Sequence, residues 1–219
     1  MEIQKFKVNG KKVYVIDNLL NHNKIRNIYS TAKKMPFTFT QMSDKETVTI
    51  DNTRWAYHLN LNSPEERARF RHLFKAHEKI TKAFKFMREQ LIAEIYINIA
   101  DAMTITLPHT DRPKGCWTLL YYANFEWDIK WGGQTNFINE FTGEIELACI
   151  PKPGRFALFQ SDILHQATPP NFYAPYKRIT IPFKMDPVNI ENNELIDQIL
   201  ERENNGNNNP IAGTINTCW

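Results

Sequence analysis

Two side chains that bind divalent metals stand one residue apart in the segment HTDRPKGCWTLLYY, residues 109–122. On an extended strand, residues i and i+2 point to the same side, so His109 and Asp111 would converge on one small volume. An imidazole and a carboxylate brought together in this way can supply two protein ligands to a divalent metal. The segment therefore predicts part of a metal site, and a third ligand is expected elsewhere in the chain.

His165 is the candidate for that third ligand. It lies in SDILHQATPP, residues 161–170, and follows the strand-like segment RFALFQ after a short turn. Two histidines and one carboxylate suit non-haem Fe(II), because they occupy one face of an octahedron and leave three positions open. Two of these positions can hold a bidentate co-substrate, and the last can take O2.

The segment YKRITIPFKM, residues 176–185, offers an anchor for such a co-substrate. Alternation places its apolar side chains on one side, facing an amphipathic helix, and places Arg178 and Thr180 on the other, facing the barrel interior. A guanidinium grips a carboxylate with a planar fork, so Arg178 is the predicted anchor and Thr180 an additional donor. The same alternation in TLLYY allows Tyr122 to bond that carboxylate.

The first half of the chain predicts a hairpin and two helices that could flank this site. KFKVNGKKVYVID is typical of a hairpin with Asn9 and Gly10 in the tight turn. Helical spacing of apolar residues covers about residues 18–35. The sequence SPEE at 63–66 combines a Ser cap, an early Pro and a capping-box Glu. The helix that begins there is predicted to present one apolar face, formed by Phe70, Leu73, Phe74, His77, Ile80, Phe84, Met87 and Leu91.

From Ile92 onward the hydrophobic period changes to two, which is typical of strands. The predicted strands are EIYINIA, CWTLLYYANF, GQTNFI, GEIELACI, RFALFQ and KRITIPF. Many short strands without helices between them favour an antiparallel sandwich or barrel. The expected fold class is mainly β with flanking α-helices.

A single domain over residues 1–203 is the simplest organisation of the chain. Its expected parts are the N-terminal hairpin and helices at 1–91, a β core at 92–185 and a capping helix at 186–203. The asparagine-rich residues 204–219 form a low-complexity tail that is expected to be mobile.

The composition excludes several classes of protein. The 219 residues are 42% hydrophobic and 23% charged, which is ordinary for a globular protein. A net charge of +3 gives no support for a nucleic-acid partner. The chain has no apolar run of about 18 residues, so no membrane span is expected. Its three scattered cysteines and the absence of a signal-peptide core lead us to expect a cytoplasmic location.

The ordered set HTD, TLLYYAN, EWDIKWGGQTNF, PKPGRFALFQSDILH and KRITIPF resembles the prolyl 4-hydroxylase-like branch of the 2-oxoglutarate/Fe(II) oxygenases, over roughly residues 92–185. The resemblance implies a double-stranded β-helix (jelly-roll) core. It implies Fe(II), with 2-oxoglutarate and O2 as co-substrates and ascorbate as a further candidate cofactor. The three predicted ligands match the family's iron ligands, and Arg178 matches its 2-oxoglutarate anchor. Tyr122 and Thr135 fall at positions that the family places around the same co-substrate.

The sequence departs from the family pattern in two places. The gap between His165 and Arg178 is longer than in many relatives, so Lys177 remains an alternative anchor. Family members often offer a tyrosine from the strand before HTD. Here Tyr96 and Asn98 both lie on the polar face of that strand, and both remain candidates.

The resemblance implies hydroxylation of an aliphatic C–H bond with release of succinate and CO2. A prolyl residue of a peptide or protein is the first substrate that it suggests, and a free amino acid or another small metabolite is the alternative. Two other readings are a non-catalytic jelly-roll module that binds a metal or ligand, and a zinc or manganese site on the same three residues.

Overall fold

The computed structural model describes residues 1–41, 53–104 and 106–188, which contain eleven strands and three α-helices. The strands are β1 (Glu2–Val8), β2 (Lys11–Asp17), β3 (Thr38–Gln41), β4 (Thr53–His58), β5 (Gln90–Ala100), β6 (Trp117–Tyr122), β7 (Thr135–Ile138), β8 (Ile145–Cys149), β9 (Phe156–Gln160), β10 (His165–Ala167) and β11 (Arg178–Pro187). The helices are α1 (His22–Ala32), α2 (Pro64–Arg69) and α3 (Arg71–Ala83), with 3-10 helices at Lys85–Glu89 and Ile129–Trp131. The expected class, mainly β with flanking helices, is confirmed.

The strands form two antiparallel sheets that pack face to face. The larger sheet has the order β1-β2-β9-β6-β11-β5-β4-β3, and the smaller has the order β10-β7-β8. Side chains of both sheets meet in one apolar cluster, where Leu120 and Tyr122 of the larger sheet pack with Phe137 and Cys149 of the smaller. This two-sheet arrangement is the predicted jelly roll.

The helices cover the outer face of the larger sheet. On β11, Ile179, Ile181 and Phe183 belong to the cluster that also contains Leu73 and Ile80 of α3. The predicted alternation of β11 is therefore correct, and its opposite face is left to line the space between the sheets.

The N-terminal hairpin has the predicted turn. Val8 pairs with Lys11, so only Asn9 and Gly10 lie between the strands. Their φ angles are 48° and 76°, and two positive values in a two-residue loop define a type I′ turn. The helix predicted at residues 18–35 is confirmed over the shorter range of α1.

The long amphipathic helix was predicted with the right start and the wrong length. Ser63 caps α2, with its hydroxyl accepting from the Glu66 amide at 3.3 Å. The chain then turns at Phe70 and leaves the helix at Phe84, which has extended φ and ψ. Leu91 lies on β5 and is 60% exposed, so it is not part of a helical face.

Aromatic packing explains where this helix ends. Phe84 packs against Tyr14 at 4.8 Å between ring centroids, and Phe86 stacks on Trp117 at 4.2 Å. A continued helix would carry these rings away from the sheet. The spacing of apolar residues cannot predict this long-range contact, because it shows only which positions are apolar and not what they pack against.

The capping helix and the tail predicted at the C-terminus lie mostly outside the residues that the structure describes. The capping helix predicted at 186–203 is wrong at its start, because β11 continues through Pro187 and residue 188 has no regular structure; residues 189–203 and the tail at 204–219 lie outside the described residues. Within the described ranges, every helix is too short or too polar to cross a membrane.

Candidate metal and co-substrate site

Backbone pairing brings the three predicted ligands together. The His109 amide donates to the His165 carbonyl, and the His165 amide donates to the His109 carbonyl, both at 2.9 Å. The Asp111 amide donates to the Ser161 carbonyl at 2.8 Å, which ties the same segment to the turn before β10. The ligand atoms of the two histidines and Asp111 all lie within 4.8 Å of one another. Sequence reasoning had found all three residues.

Hydrogen bonds fix which nitrogen each imidazole offers to a metal. Nδ1 of His109 lies 2.9 Å from the Leu107 carbonyl, and Nδ1 of His165 lies 2.9 Å from the Ile163 carbonyl. A carbonyl only accepts, so both Nδ1 atoms carry hydrogen and both Nε2 atoms keep a lone pair. Burial lowers the pKa of His165 to about 4, which keeps this imidazole neutral near pH 7.

The two oxygens of Asp111 have different partners. Oδ2 accepts from the Thr118 hydroxyl at 2.7 Å, and Thr118 is in turn 2.9 Å from the Ser161 hydroxyl. Oδ1 lies 3.6 Å from Nε2 of each histidine. Two imidazole lone pairs and one carboxylate oxygen thus converge, and this donor set fits a divalent non-haem metal such as Fe(II).

Lys184 is a site residue that the sequence analysis missed. It is 5% exposed, and its ammonium forms an ion pair with Oδ1 of Asp111. Burial raises the pKa of Asp111, but the neighbouring Lys184 and the two histidines outweigh burial and hold it well below its usual range. The alternation that identified Arg178 and Thr180 would have reached Lys184, had the predicted strand not been ended at Phe183.

Arg178 lies in the same pocket as the three ligands, further along β11. Its Nε donates to the Gly133 carbonyl at 2.6 Å, and its Nη2 donates to the Thr135 hydroxyl at 3.0 Å. Nη1 lies 3.4 Å from the Thr180 hydroxyl. A guanidinium is charged at neutral pH, and its planar fork can bind a carboxylate. Lys177, the alternative anchor, is exposed and lies 3.4 Å from Asp101.

The other predicted co-substrate residues divide into two layers. Thr180, Thr135, Tyr96 and Asn98 all line the pocket. Tyr122 lies behind this wall: its hydroxyl donates to Thr135 at 2.9 Å, and its ring is 5.6 Å from the Arg178 guanidinium.

The structure places both candidates on β5 in the pocket. Asn98 pairs in register with Thr180, and its Oδ1 is buried without a hydrogen-bond partner among the described residues. The Tyr96 ring lies 5.8 Å from the Lys184 ammonium. Asn98 is thus near the Arg178 side and Tyr96 near the metal ligands. The unmet polar atom of Asn98 fits a pocket that receives a polar ligand.

Gly133 has a role beyond the turn that the sequence suggested. Its φ is +77°, and an added Cβ would lie 3.0 Å from the Trp127 ring and 3.2 Å from Cδ of Arg178. Trp127 is fixed in turn by its indole N–H, which donates to the Gly132 carbonyl at 3.0 Å. The missing side chain of Gly133 therefore makes room for Arg178.

Residues 99–183 match the family model of the 2OG-Fe(II) oxygenase superfamily. Among solved structures, a prolyl hydroxylase from Trichoplax adhaerens, in complex with a hypoxia inducible factor oxygen degradation domain peptide fragment, aligns with a TM-score of 0.62 at 17% identity, covering 84% of this chain and 86% of that one. A prolyl-4-hydroxylase from Pseudomonas putida aligns with a TM-score of 0.59 at 14% identity, covering 80% and 92%. The viral collagen prolyl hydroxylase of Paramecium Bursaria Chlorella virus-1 aligns with a TM-score of 0.56 at 14% identity, covering 85% and 96%. No curated protein matches this chain.

Proposed function

Since residues 99–183 match the family model of the 2OG-Fe(II) oxygenase superfamily, we propose that this protein is an Fe(II)- and 2-oxoglutarate-dependent dioxygenase that hydroxylates an aliphatic C–H bond. The observation that carries the proposal is the convergence of two imidazole lone pairs and one carboxylate oxygen in the pocket that also holds Arg178. Neither a zinc site nor a non-catalytic module needs a buried cation set back from the metal ligands.

The residues divide the work between the two ends of the pocket. His109, Asp111 and His165 would hold the iron, and Arg178 would bind the far carboxylate of 2-oxoglutarate together with the Thr135 hydroxyl. Iron and 2-oxoglutarate together supply the activation of O2, and the overall reaction converts R–H, 2-oxoglutarate and O2 into R–OH, succinate and CO2.

The protein itself contributes position and exclusion of water. The two sheets enclose Arg178 and His165, which are 4% and 6% exposed, so the co-substrate would be bound away from solvent. The side chain of His109 is 34% exposed, and this supports an accessible side of the proposed metal site at this ligand. The substrate C–H bond would approach from there.

We further propose a prolyl residue of a peptide or protein as the substrate. The support is the fold shared with three prolyl hydroxylases, one of them in complex with a peptide. Mass spectrometry of a proline-containing peptide panel should show a gain of one oxygen on proline. If free proline or another small metabolite were oxidised and every peptide stayed unchanged, the substrate would be a small molecule and the peptide proposal would be wrong.

Succinate release tests the enzyme class. The wild-type protein with Fe(II), 2-oxoglutarate and O2 should produce succinate, and His109→Ala and Asp111→Ala should reduce it by about 100-fold or more because each removes a metal ligand. Lys177→Ala is the matched control: Lys177 precedes Arg178 but points to the surface, so turnover should be unchanged. Undiminished succinate release in both ligand variants would end the proposal.

Ligand binding gives a readout that does not need a substrate. Anaerobic addition of Fe(II) and 2-oxoglutarate should produce the weak visible charge-transfer band of a bidentate complex. A zinc protein or a non-catalytic module would give no such band.

A further inference from the structure

We propose that Lys184 is a positioning residue that makes the ligand set electrically neutral and thereby weakens the binding of the divalent metal. The inference rests on the proposed function in one respect, since it takes the three ligands to be a metal site. It adds a fourth residue, whose charge sets how tightly the metal is held.

The first observation is the oxygen that Lys184 contacts. Its ammonium pairs with Oδ1 of Asp111, the oxygen that lies 3.6 Å from both imidazoles. Oδ2 is already bonded to the Thr118 hydroxyl at 2.7 Å. A metal and the ammonium must therefore share one carboxylate oxygen, or the metal must displace the ammonium.

The second observation is that Lys184 has little freedom to leave. It lies in the interior of β11, paired with Glu94 on β5 and with Thr118 on β6, so its backbone is fixed on both sides. The side chain is 5% exposed, with the Tyr96 ring beside its ammonium. The charge stays near the metal position whether or not a metal is bound.

The third observation concerns charge. Two neutral imidazoles and one carboxylate carry a net charge of −1, and the ammonium brings the group to zero. Removing one positive charge beside a divalent cation should raise its affinity, and screening is weak because the pair is buried. An increase of about tenfold or more in metal affinity is expected.

Lys184 also replaces the metal in the empty protein. A buried carboxylate without a cation is destabilising, and in the absence of metal the ammonium supplies that cation. Removing Lys184 should therefore have two opposite effects: the metal-free protein becomes less stable, and the metal-bound protein becomes harder to strip. A lysine with a purely structural role would weaken both states.

The experiment is an anaerobic calorimetric titration of the chelator-treated full chain with Mn²⁺ and Fe²⁺. We expect Lys184→Met to bind both ions about tenfold or more tightly than wild type, and Lys184→Gln to do the same should the methionine variant not fold. Lys177→Met removes a surface lysine that neighbours the same strand and should leave the affinity unchanged.

The two proposals fail in different ways. If wild type binds the ions and a folded Lys184→Met protein binds them equally or more weakly, the role of Lys184 is refuted and the metal site stands. If no variant binds either ion, the proposed function itself fails.

Discussion

Gly133 shows how a single missing side chain can set the position of Arg178, the proposed co-substrate anchor. The carbonyl of Gly133 accepts from Nε of Arg178 at 2.6 Å, and its Cα faces the same side chain. Arg178 can lie flat against the backbone because no Cβ intervenes. At this scale the sequence identified Arg178 from strand alternation, whereas the closeness of Gly133 depends on a contact 45 residues away along the chain.

Gly133→Ala should weaken the binding of 2-oxoglutarate without affecting the metal. The new Cβ would lie 3.0 Å from the Trp127 ring and 3.2 Å from Cδ of Arg178, so we expect it to shift the Arg178 side chain by a few tenths of an ångström. We expect the KM for 2-oxoglutarate to rise by about tenfold, with Mn²⁺ affinity unchanged, because a displaced bidentate contact costs about 1–2 kcal/mol. Steady-state kinetics and calorimetry measure the two quantities.

Gly132→Ala is the control for backbone strain. Gly132 also has a positive φ, +70°, but its added Cβ would come no closer than 3.6 Å to any atom. Both variants share the conformational cost, and only Gly133→Ala adds the collision. An equal rise of KM in the two variants would assign the effect to the loop conformation.

At the scale of elements, the sequence was most informative where a local rule acts and least where distant elements meet. Ser63 was predicted as a cap because its partner is three residues away. The end of α3 depends on the packing of Phe84 and Phe86 against other elements, and periodicity alone missed it. Lys184 was missed for a related reason: the predicted strand ended at Phe183, whereas β11 continues to Pro187, although the predicted alternation was correct.

The junction of β2 and β9 depends on a partly buried ion pair. Arg155 donates to Asp17 through Nε at 2.9 Å and Nη2 at 2.7 Å, and its Nη1 bonds the Ile150 carbonyl at 2.9 Å. Asp17→Asn should lower the free energy of unfolding by about 3 kcal/mol, since it leaves the guanidinium without its partner. Urea denaturation measures the change.

Lys152 provides a control on the same carboxylate. Its ammonium is 3.4 Å from Asp17, but its side chain is 52% exposed. Lys152→Met should therefore cost less than about 1 kcal/mol. A larger loss for Lys152→Met than for Asp17→Asn would contradict this account of the junction.

The contact between α3 and β11 should make stability depend on pH. The ring of His77 stacks on that of Phe183, with 5.3 Å between the ring centroids and 9° between the ring planes. Burial lowers the pKa of His77 to about 4. In the unfolded chain His77 is protonated near pH 6.5, whereas in the folded chain it stays neutral until about pH 4. The contribution of neutral His77 to the free energy of unfolding is therefore complete above pH 6.5 and is lost as pH falls towards 4. The decrease in the free energy of unfolding should reach about 3 kcal/mol.

His77→Phe should remove that part of the pH dependence, because phenylalanine can stack on Phe183 without a titrating group. Urea denaturation of both proteins between pH 7 and pH 4.5 measures it. If the two stability profiles stayed parallel throughout, protonation of His77 would not be the cause.

At the scale of the whole molecule, the metal site joins the two sheets. His165 belongs to β10 of the smaller sheet, while Asp111 is bonded to Thr118 on β6 of the larger. A metal bound by these residues would connect the two sheets next to the isolated backbone bridge between His109 and His165. Metal binding should therefore contribute to global stability.

Metal removal tests this connection. With free Mn²⁺ at about 100 times its Kd, the free energy of unfolding should exceed that of the chelated protein by about 2.7 kcal/mol. Thermal denaturation with Mn²⁺ and with EDTA measures the difference, and Asp111→Ala should show none. A stabilisation that survived in Asp111→Ala would place the bound ion elsewhere.

The reciprocal backbone hydrogen bonds between His109 and His165 have a consequence for handling the protein. Since these bonds join backbone groups, they position the two imidazoles independently of a metal, and we expect metal loading to require no refolding. For a site with these ligand types, affinity generally follows the order of divalent metals in which nickel, copper and zinc bind more tightly than iron. Material purified on a nickel resin would carry the wrong occupant, and stripping followed by anaerobic reconstitution is the step on which any assay of this chain depends.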